Sequence, residues 1–486
     1  MGFSYKYFEK EFRRRTKELI KAYDKGDLLK TISYLKYLSN FYYLINYKLT
    51  DDQLEDLTSG VSYQLLGETV IDCCRKKTVL FYDNFGLAVR GLANIYVKAL
   101  DRLGYHVFWV LYEYAPELEK LKEMYHDYKN VEFLIIPNVD IINRMRLLQR
   151  MILDIRPEHI FVYTTPEDVA GVGVMSTLSG DTDRYLIDLT DHAFWLGKCA
   201  VDYVIGFRNY GFNIAAQGRG IDPDRICLLP YYPDRGKPKK FQGMPFDTDR
   251  HEFVFSGGSI YKIEGDSTYE RIVDYILKNY PQMYFVYAGN GKSRKLAVLK
   301  KNYPDRFFHI RERDDLDEVL AKAKFFLATI PVSGGLMVQY ALMNQCIPMS
   351  YCTEQGGLSD PHTFLLYPEK IKFVFYEEKQ LTDEIDRILT DKSYYLYAKQ
   401  QIDGQVITEK EFTDELLNVL ENKKTKFAKV KKSFCMDKFL ESYKNRADFK
   451  QYADIIYHSH NKWVWKKHPF IIRKYKNRQR DSIKHT

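Results

Sequence analysis

The spacing of hydrophobic positions changes near residue 78, and the change divides the chain. Over residues 1–75, Phe8, Phe12, Leu19, Ile20, Tyr23, Leu28, Leu29, Ile32, Leu35 and Leu38 recur at near-helical intervals among Lys, Glu and Arg, with no Pro between them. That pattern predicts two or three amphipathic helices. From Thr78 onward, short apolar runs alternate with helical stretches. The runs are Thr78–Tyr82, His106–Leu111, Val131–Ile136, His159–Tyr163, Tyr185–Leu189 and Tyr203–Gly206. Gly91–Leu103, Glu117–Tyr128 and Ile141–Asp154 lie between them as helices. Strands that are apolar throughout, joined by helices, predict a parallel sheet covered on both faces.

The stretch from Pro233 to Lys240 is rich in Pro and Lys and reads as a linker. The alternation then restarts. Strands are predicted at Phe253–Phe255, Tyr284–Ala288, Phe307–Ile310, Phe325–Ile330 and Ile347–Tyr351. Helices are predicted at Tyr269–Asn279, Ser293–Lys301, Leu316–Ala323 and Gly335–Asn344. The expected organisation is therefore α/β, with two tandem Rossmann-like doubly wound domains. Residues 1–75 form an N-terminal helical element, 76–235 the first domain and 236–405 the second. Residues 406–486 hold one more helix (409–421) and a basic aromatic tail. Ligands of such sheets bind at the carboxyl ends of the strands, and a cleft between two such ends is expected.

Composition adds three constraints. Hydrophobic residues at 45% and charged residues at 28% exclude a disordered or low-complexity chain. The 40 Tyr and 30 Phe suit a large core and stacking sites for planar or sugar ligands. The 7 Cys have no framework or metal-ligand spacing, so reduced thiols and no metal are expected. No apolar run is long enough to span a bilayer, and the charged first residues lack a signal-peptide core, so a cytoplasmic protein is expected. The net charge of +8 is uneven. Residues 421–486 hold 19 Lys/Arg and 6 Asp/Glu, a balance of +13, which leaves −5 for the rest. Lys and Arg interleave with Trp463 and Trp465, a composition that suits an anionic membrane surface and equally a helical extension packed on the first domain.

Four motifs could carry chemistry. Gly257-Gly258-Ser259-Ile260-Tyr261-Lys262 follows the first strand of the second domain; paired glycines let backbone approach an anion, and the lysine supplies countercharge. It is neither a P-loop nor GxGxxG, and a glycine turn with a solvated lysine would read the same. Ser333-Gly334-Gly335 joins a strand to a helix, with Ser333 as the expected N-cap and the first-turn amides left open to a phosphate. An ordinary capped helix would also show this pattern. Asp191-His192, with Trp195, ends a first-domain strand and could place a titratable group beside an aromatic platform. Asn84, Gly86 and Arg90 follow the first strand of that domain, and Arg208 is a weaker candidate of the same kind. No HExxH, GxSxG, helix-turn-helix, zinc-finger or RNP motif is present, so no nucleic-acid partner is expected.

This layout resembles the GT-B glycosyltransferases over roughly residues 78–405. Ser259-Ile260-Tyr261-Lys262-Ile263 is similar to the Gln-Leu-Tyr-Lys-Ile stretch of O-GlcNAc transferase-like enzymes. The resemblance implies that Lys262 and the Ser333–Gly335 turn hold the donor diphosphate, with Ser259, Gly257 and Gly258 beside them. It places Arg311, with Asp314 and Leu316, at the nucleobase. It puts His192 and Asp191 at the catalytic position and Asn84, Gly86, Arg90 and Trp195 on the acceptor side. The acidic residue that binds ribose in many family members is Ala341 here; Gln339 or Glu354 are the available substitutes. The resemblance implies a metal-independent transfer from a nucleotide sugar, UDP-linked by expectation, without a cofactor. The expected acceptor is a glycan or lipid-linked glycan of surface polysaccharide (capsule or lipopolysaccharide) assembly, met at the inner face of the membrane. A sugar-nucleotide epimerase of the same fold, or a surface or nucleic-acid binder acting through the tail, are the alternatives.

Overall fold

The computed structural model describes residues 5–45, 48–88, 91–234, 236, 239–353, 360–370, 372–437, 439–440, 449–459 and 461–473. Among the predicted site residues, Arg90 and Glu354 lie outside the described residues, as does the end of the tail. The chain divides into two compact units. One comprises residues 1–229 and 413–486, the other Pro230–Phe412.

The first unit opens with three helices, α1 (Tyr5–Asp24), α2 (Leu28–Ile45) and α3 (Asp52–Leu66). The side chain of Asp51 caps α3 by accepting the Leu54 amide. A seven-stranded sheet follows, built from β2 (Arg75–Asp83), β3 (His106–Tyr112), β4 (Val131–Ile136), β5 (Pro157–Tyr163), β7 (Asp183–Ile187), β8 (Tyr203–Gly206) and β9 (Ile226–Leu228). Its order is β4-β3-β2-β5-β7-β8-β9, and every pairing is parallel. A two-stranded parallel pair, β1 (Thr69–Ile71) with β6 (Leu178–Gly180), lies beside it. The helices include α4 (Ala93–Arg102), α5 (Leu118–Met124), α6 (Ile141–Ile155) and α7 (Val169–Ser176). Helix α7 was not expected from the sequence. Its residues Val169 to Met175 are all buried, so no polar face marks it as a helix.

The basic tail returns to this unit. Tyr452, Ile455, Ile456 and Val464 join one core with Phe8 and Leu19 of α1 and Ile32, Leu35 and Leu38 of α2. Trp465 donates its indole N–H to the Ile456 carbonyl at 2.8 Å, and Trp463 packs near Tyr34 at 6.4 Å between ring centroids. Packing is thus the reading realised for these two rings. Buried Arg15 binds Glu11 at 2.6 Å and Glu18 at 2.9 Å, and its third nitrogen lies 2.9 Å from His468 of the tail.

Ahead of this packed segment, a strap of residues 428–434 crosses the short helix α8 (Asn209–Asn213) and the wider turn Ile214–Gly218 that continues it. Three side-chain amides, four residues apart, hold it. Asn209 donates to the Ala428 carbonyl at 3.2 Å and accepts the Val430 amide at 2.8 Å. Asn213 does the same for Val430 and Lys432, both at 2.9 Å. Gln217 binds the Lys432 carbonyl at 2.7 Å and the Phe434 amide at 3.1 Å.

The second unit holds a six-stranded parallel sheet of β10 (Phe253–Gly257), β11 (Tyr284–Ala288), β12 (Phe307–Ile310), β13 (Phe325–Leu327), β14 (Pro348–Tyr351) and β15 (Val374–Phe375). Its order is β12-β11-β10-β13-β14-β15. Helices α9 (Thr268–Asn279), α10 (Arg294–Asn302), α11 (Leu316–Lys322) and α12 (Gly335–Met343) alternate with the strands, and α13 (Glu378–Thr390) and α14 (Lys392–Gln401) close the unit. Phe253, Phe255, Val286, Phe326 and Leu327 pack its core against Ile272, Ile276 and Val338 from the helices. Among the described residues no helix is long and apolar enough to cross a membrane.

Two outcomes follow. Ile456→Ala should destabilise the first unit by about 2–4 kcal/mol in urea denaturation, the usual cost of emptying a core position. An unchanged midpoint would show the tail to be loosely held. Glu55 of α3 accepts the amides of Gly197 and Lys198 at 2.8 and 3.2 Å, and burial raises its carboxyl to about 7. The folded state therefore holds that proton more tightly than the unfolded chain. Its stabilising effect is complete below the ordinary carboxyl range and fades as pH rises toward about 7. Glu55→Gln keeps the acceptor oxygen, and should flatten the fall in stability between about pH 5 and about pH 8. A parent and variant with identical pH profiles would remove this assignment.

Candidate functional site

In the second unit the strand order reverses between β10 and β13, and the loops leaving these neighbours flank the switch point where doubly wound sheets bind ligands. After β10, the Gly258 amide bonds to the Ala288 carbonyl at 3.0 Å, so it is engaged by the sheet. The glycine pair serves close approach: a Cβ on Gly257 would lie 2.9 Å from the Ala288 carbonyl oxygen, and Gly258 has φ of +150°. Tyr287 of β11 donates its hydroxyl to the Gly258 carbonyl at 2.9 Å, and the His309 ring lies 2.9 Å from the Gly289 carbonyl. These contacts fix the loop ends.

A short 3-10 turn, Ile260–Ile263, then presents Lys262, with exposed Ser259 preceding it. Lys295 bonds to the Ile263 carbonyl at 2.9 Å, and Ser293 to Glu264 at 2.5 Å, which pins this turn to the start of α10. On the other side the Val332 amide bonds to the Lys262 carbonyl at 3.3 Å. Lys262 is partly buried, and burial alone lowers the pKa of its ammonium. Among the described residues it has no carboxylate partner. Its Nζ lies 3.0 Å from where a Cβ on Gly334 would be.

Gly334 is the N-cap of α12, with no side-chain cap bond and no acidic residue in the first turn. This corrects the expectation that Ser333 caps the helix. Among the described residues the buried Ser333 hydroxyl has no hydrogen-bond partner, and an uncapped first turn leaves its amides without intrahelical acceptors. Gly335 is required by its neighbour, since a Cβ there would meet the Phe364 ring at 2.8 Å. A cation without a carboxylate partner among the described residues, set beside an uncapped helix N-terminus, is an arrangement that suits an anion.

The remaining second-unit residues fall into two groups. Ala341 is fully buried in the core and offers no polar group to a ligand. Gln339 is also buried, and its amide donates to the carbonyls of Tyr231 and Phe364 at 3.1 and 3.5 Å. That bonding ties α12 to its surroundings and engages the amide proposed for ribose. Arg311 is exposed beyond β12, while Asn290 and Glu312 bond to each other at 3.1 Å beside it. The sequence reading did not find Asp360, His362 and Tyr376. Tyr376 donates to Asp360 at 3.0 Å and lies 3.1 Å from the His362 ring. Nothing in their spacing signals this cluster.

In the first unit the candidates also collect at strand ends. Asp191 is buried and receives two bonds from Arg208, at 2.6 and 2.9 Å. Its carboxyl is held far below the usual range by Arg208 against the opposing effect of burial, so it stays ionised and cannot act as a base near neutrality. Its Oδ1 lies 3.3 Å from His192 Nδ1, which places His192 with a third of its side chain exposed. Arg208 and His192 thus meet on the one Asp191 carboxylate. Trp195 is buried at 3% exposure, its ring 4.7 Å from the Arg219 guanidinium, and so offers no open face to a ligand. Asp188, also buried, has neither oxygen hydrogen-bonded among the described residues, and burial raises it to about 7. Asn84 bonds to Thr165 at 3.1 Å, joining the loops after β2 and β5. Buried Asp83 shapes that loop by accepting the amides of Phe85 and Gly86, each at 2.9 Å.

No protein-family model matches the chain, and no curated protein does. Solved structures do. A glycosyltransferase from Rickettsia africae aligns over 71% of this chain and 97% of its own, with 10% identity and a TM-score of 0.52. A putative UDP-N-acetylglucosamine 2-epimerase from Listeria monocytogenes aligns over 74% and 100%, with 13% identity and a TM-score of 0.51. A UDP-GlcNAc 2-epimerase from Neisseria meningitidis, bound to UDP-GlcNAc, aligns over 71% and 99%, with 10% identity and a TM-score of 0.50. At such identities the likeness is one of fold. The chain has the GT-B fold, two Rossmann-like sheets in tandem, which glycosyltransferases and sugar-nucleotide epimerases share.

Proposed function

We propose that this chain is a glycosyltransferase that moves a sugar from a nucleoside diphosphate sugar to a glycan acceptor. The observation that carries the reading is Lys262, a partly buried ammonium with no carboxylate partner among the described residues, beside the uncapped start of α12. A diphosphate supplies the missing charge. As the bond between the anomeric carbon and the phosphate oxygen breaks, negative charge grows on the leaving diphosphate. Lys262 and the α12 amides stabilise that charge as it develops, and the reaction needs neither metal nor cofactor. The acceptor hydroxyl oxygen forms the new bond, and its proton passes to His192, which Asp191 orients. A UDP-linked donor is the class we infer, in keeping with the UDP-GlcNAc bound by the Neisseria neighbour. A lipid-linked acceptor of surface polysaccharide assembly would bring the protein to a membrane from the cytoplasmic side, and Lys424, Lys431, Lys432 and Lys466 are exposed for that contact.

Lys262→Ala should weaken UDP binding by about 10–100-fold, or about 1.4–2.8 kcal/mol, in calorimetric titration, with the melting profile of the free protein retained. Undiminished binding would remove the assignment. Product analysis with the best-bound nucleotide sugar separates the fold's two chemistries: a transferase frees the nucleotide, whereas an epimerase returns an altered sugar still attached to it. Thermal stabilisation by RNA and not by UDP would favour a nucleic-acid binder. For the membrane contact, replacing the four exposed lysines by Gln should abolish flotation with anionic vesicles; equal flotation of both forms would sink that part of the reading.

A further inference from the structure

We propose that Tyr114, backed by Tyr112 and framed by Arg144, is a subsite that stacks on a pyranose ring of the acceptor; the inference rests on the transferase reading above. Tyr114 lies two residues beyond β3, at the carboxyl end of the first sheet, and is 51% exposed. Its ring stacks on Tyr112 with centroids 5.1 Å apart and planes 9° from parallel. Tyr112 is buried and immobilised from below. Its hydroxyl meets that of Tyr82 at 2.8 Å, and Tyr82 donates to Asp168 at 2.7 Å. Asp168 also accepts the Thr164 hydroxyl at 2.7 Å and the Gly171 amide at 3.1 Å.

Arg144 fixes the other end. Its Nη1 donates to the Tyr114 hydroxyl at 2.8 Å, its Nη2 to Asn138 at 3.2 Å and its Nε to the Val139 carbonyl at 2.7 Å. The guanidinium lies 5.0 and 5.4 Å from the centroids of Tyr114 and Tyr112, and no carboxylate pairs with it among the described residues. An exposed aromatic ring held in one pose has already lost the freedom that a ligand would otherwise have to restrain. One face of Tyr114 is covered by Tyr112 and the ring is still half exposed, so the open face is the one offered. Its rim is polar, from Arg144, Asn138 and Glu113. An apolar face with hydrogen-bonding groups at its edge matches a pyranose, whose C–H faces stack and whose hydroxyls point outward.

Position supports an acceptor over the nucleotide. The platform adjoins the loop of Asn84 and Gly86: a Cβ on Gly86 would lie 2.5 Å from the Cβ of Ala115, and the Glu117 amide bonds to the Gly86 carbonyl at 3.2 Å. The anion site described above belongs to the other unit.

The test uses the full chain labelled with meta-fluorotyrosine, with the Tyr114 resonance assigned by Tyr114→Phe. Lactose, maltotriose and chitotriose are the probes, and UDP is titrated into the same samples. At least one oligosaccharide should shift the Tyr114 resonance saturably. Tyr114→Ala should weaken binding of that oligosaccharide by about tenfold or more, while UDP affinity stays within about twofold. Arg144→Met, which removes the clamp and keeps the ring, should weaken it by a smaller factor. No saturable shift with any probe, or equal loss of sugar and UDP binding in Tyr114→Ala, overturns the proposal. Oligosaccharide binding by a protein that does not bind UDP would overturn the transferase reading and leave the platform standing.

Discussion

Every strand pairing in both large sheets is parallel, and a parallel sheet must be covered on both faces. This constraint governs the rest of the molecule. Helices have to return the chain from one end of the sheet to the other, so loops that follow strands all gather at one end of each sheet. Asn84, Tyr114, Thr165, His192 and Arg208 share one such end, and Lys262, Gly289, Arg311 and Ser333 share another. Neither set is contiguous in sequence. What unites each set is the register of the strands that precede it.

Within the second set, the electrostatics depend on what is missing. Several buried cations among the described residues have carboxylate partners: Arg15 has two glutamates, Arg208 has Asp191 and Arg313 has Asp315. Lys262 departs from that pattern, and burial already disfavours its charge. A group kept in that state costs stability unless something binds it. The turn is accordingly secured from several sides, by Lys295, by the Ser293–Glu264 bond and by the Val332 amide. Asp191 illustrates the opposite arrangement. Its charge is met by Arg208, which keeps its carboxyl ionised.

Much of the fold was legible because apolar runs carry it. Val131–Ile136, Tyr203–Gly206, Tyr284–Ala288 and Phe307–Ile310 have the same bounds in the sequence pattern and in the structure. The strand expected at Tyr185–Leu189 instead spans Asp183–Ile187, since the polar Asp183 opens it, held by Lys423 at 2.6 Å. The residues of the candidate anion site stood out for a related reason: glycines, a lysine and a strand–helix junction are local features. Ser333 was assigned as the cap from its residue type, but the cap falls one residue later, on Gly334, and the helix begins at Gly335. Trp195 and Tyr114 show the limit. Both are aromatic residues past strand ends, and only tertiary packing decides that one is buried over Arg219 and the other exposed on Tyr112.

The amides of Asn209, Asn213 and Gln217 read nothing of the strap except its backbone. The amide ladder therefore depends on chain length from residue 428 to residue 434 more than on side-chain identity, although Lys429 adds a bond to the Pro223 carbonyl at 2.7 Å. Loss of a single residue would set every carbonyl and amide of the strap out of step with its amide on the helix, whereas loss of a pair would restore the match one rung along. The attachment is a ruler with a two-residue graduation. It tolerates a segment that collects lysines but no proline at 430, 432 or 434, whose amides it uses, and it fixes how much chain remains to reach the N-terminal helices.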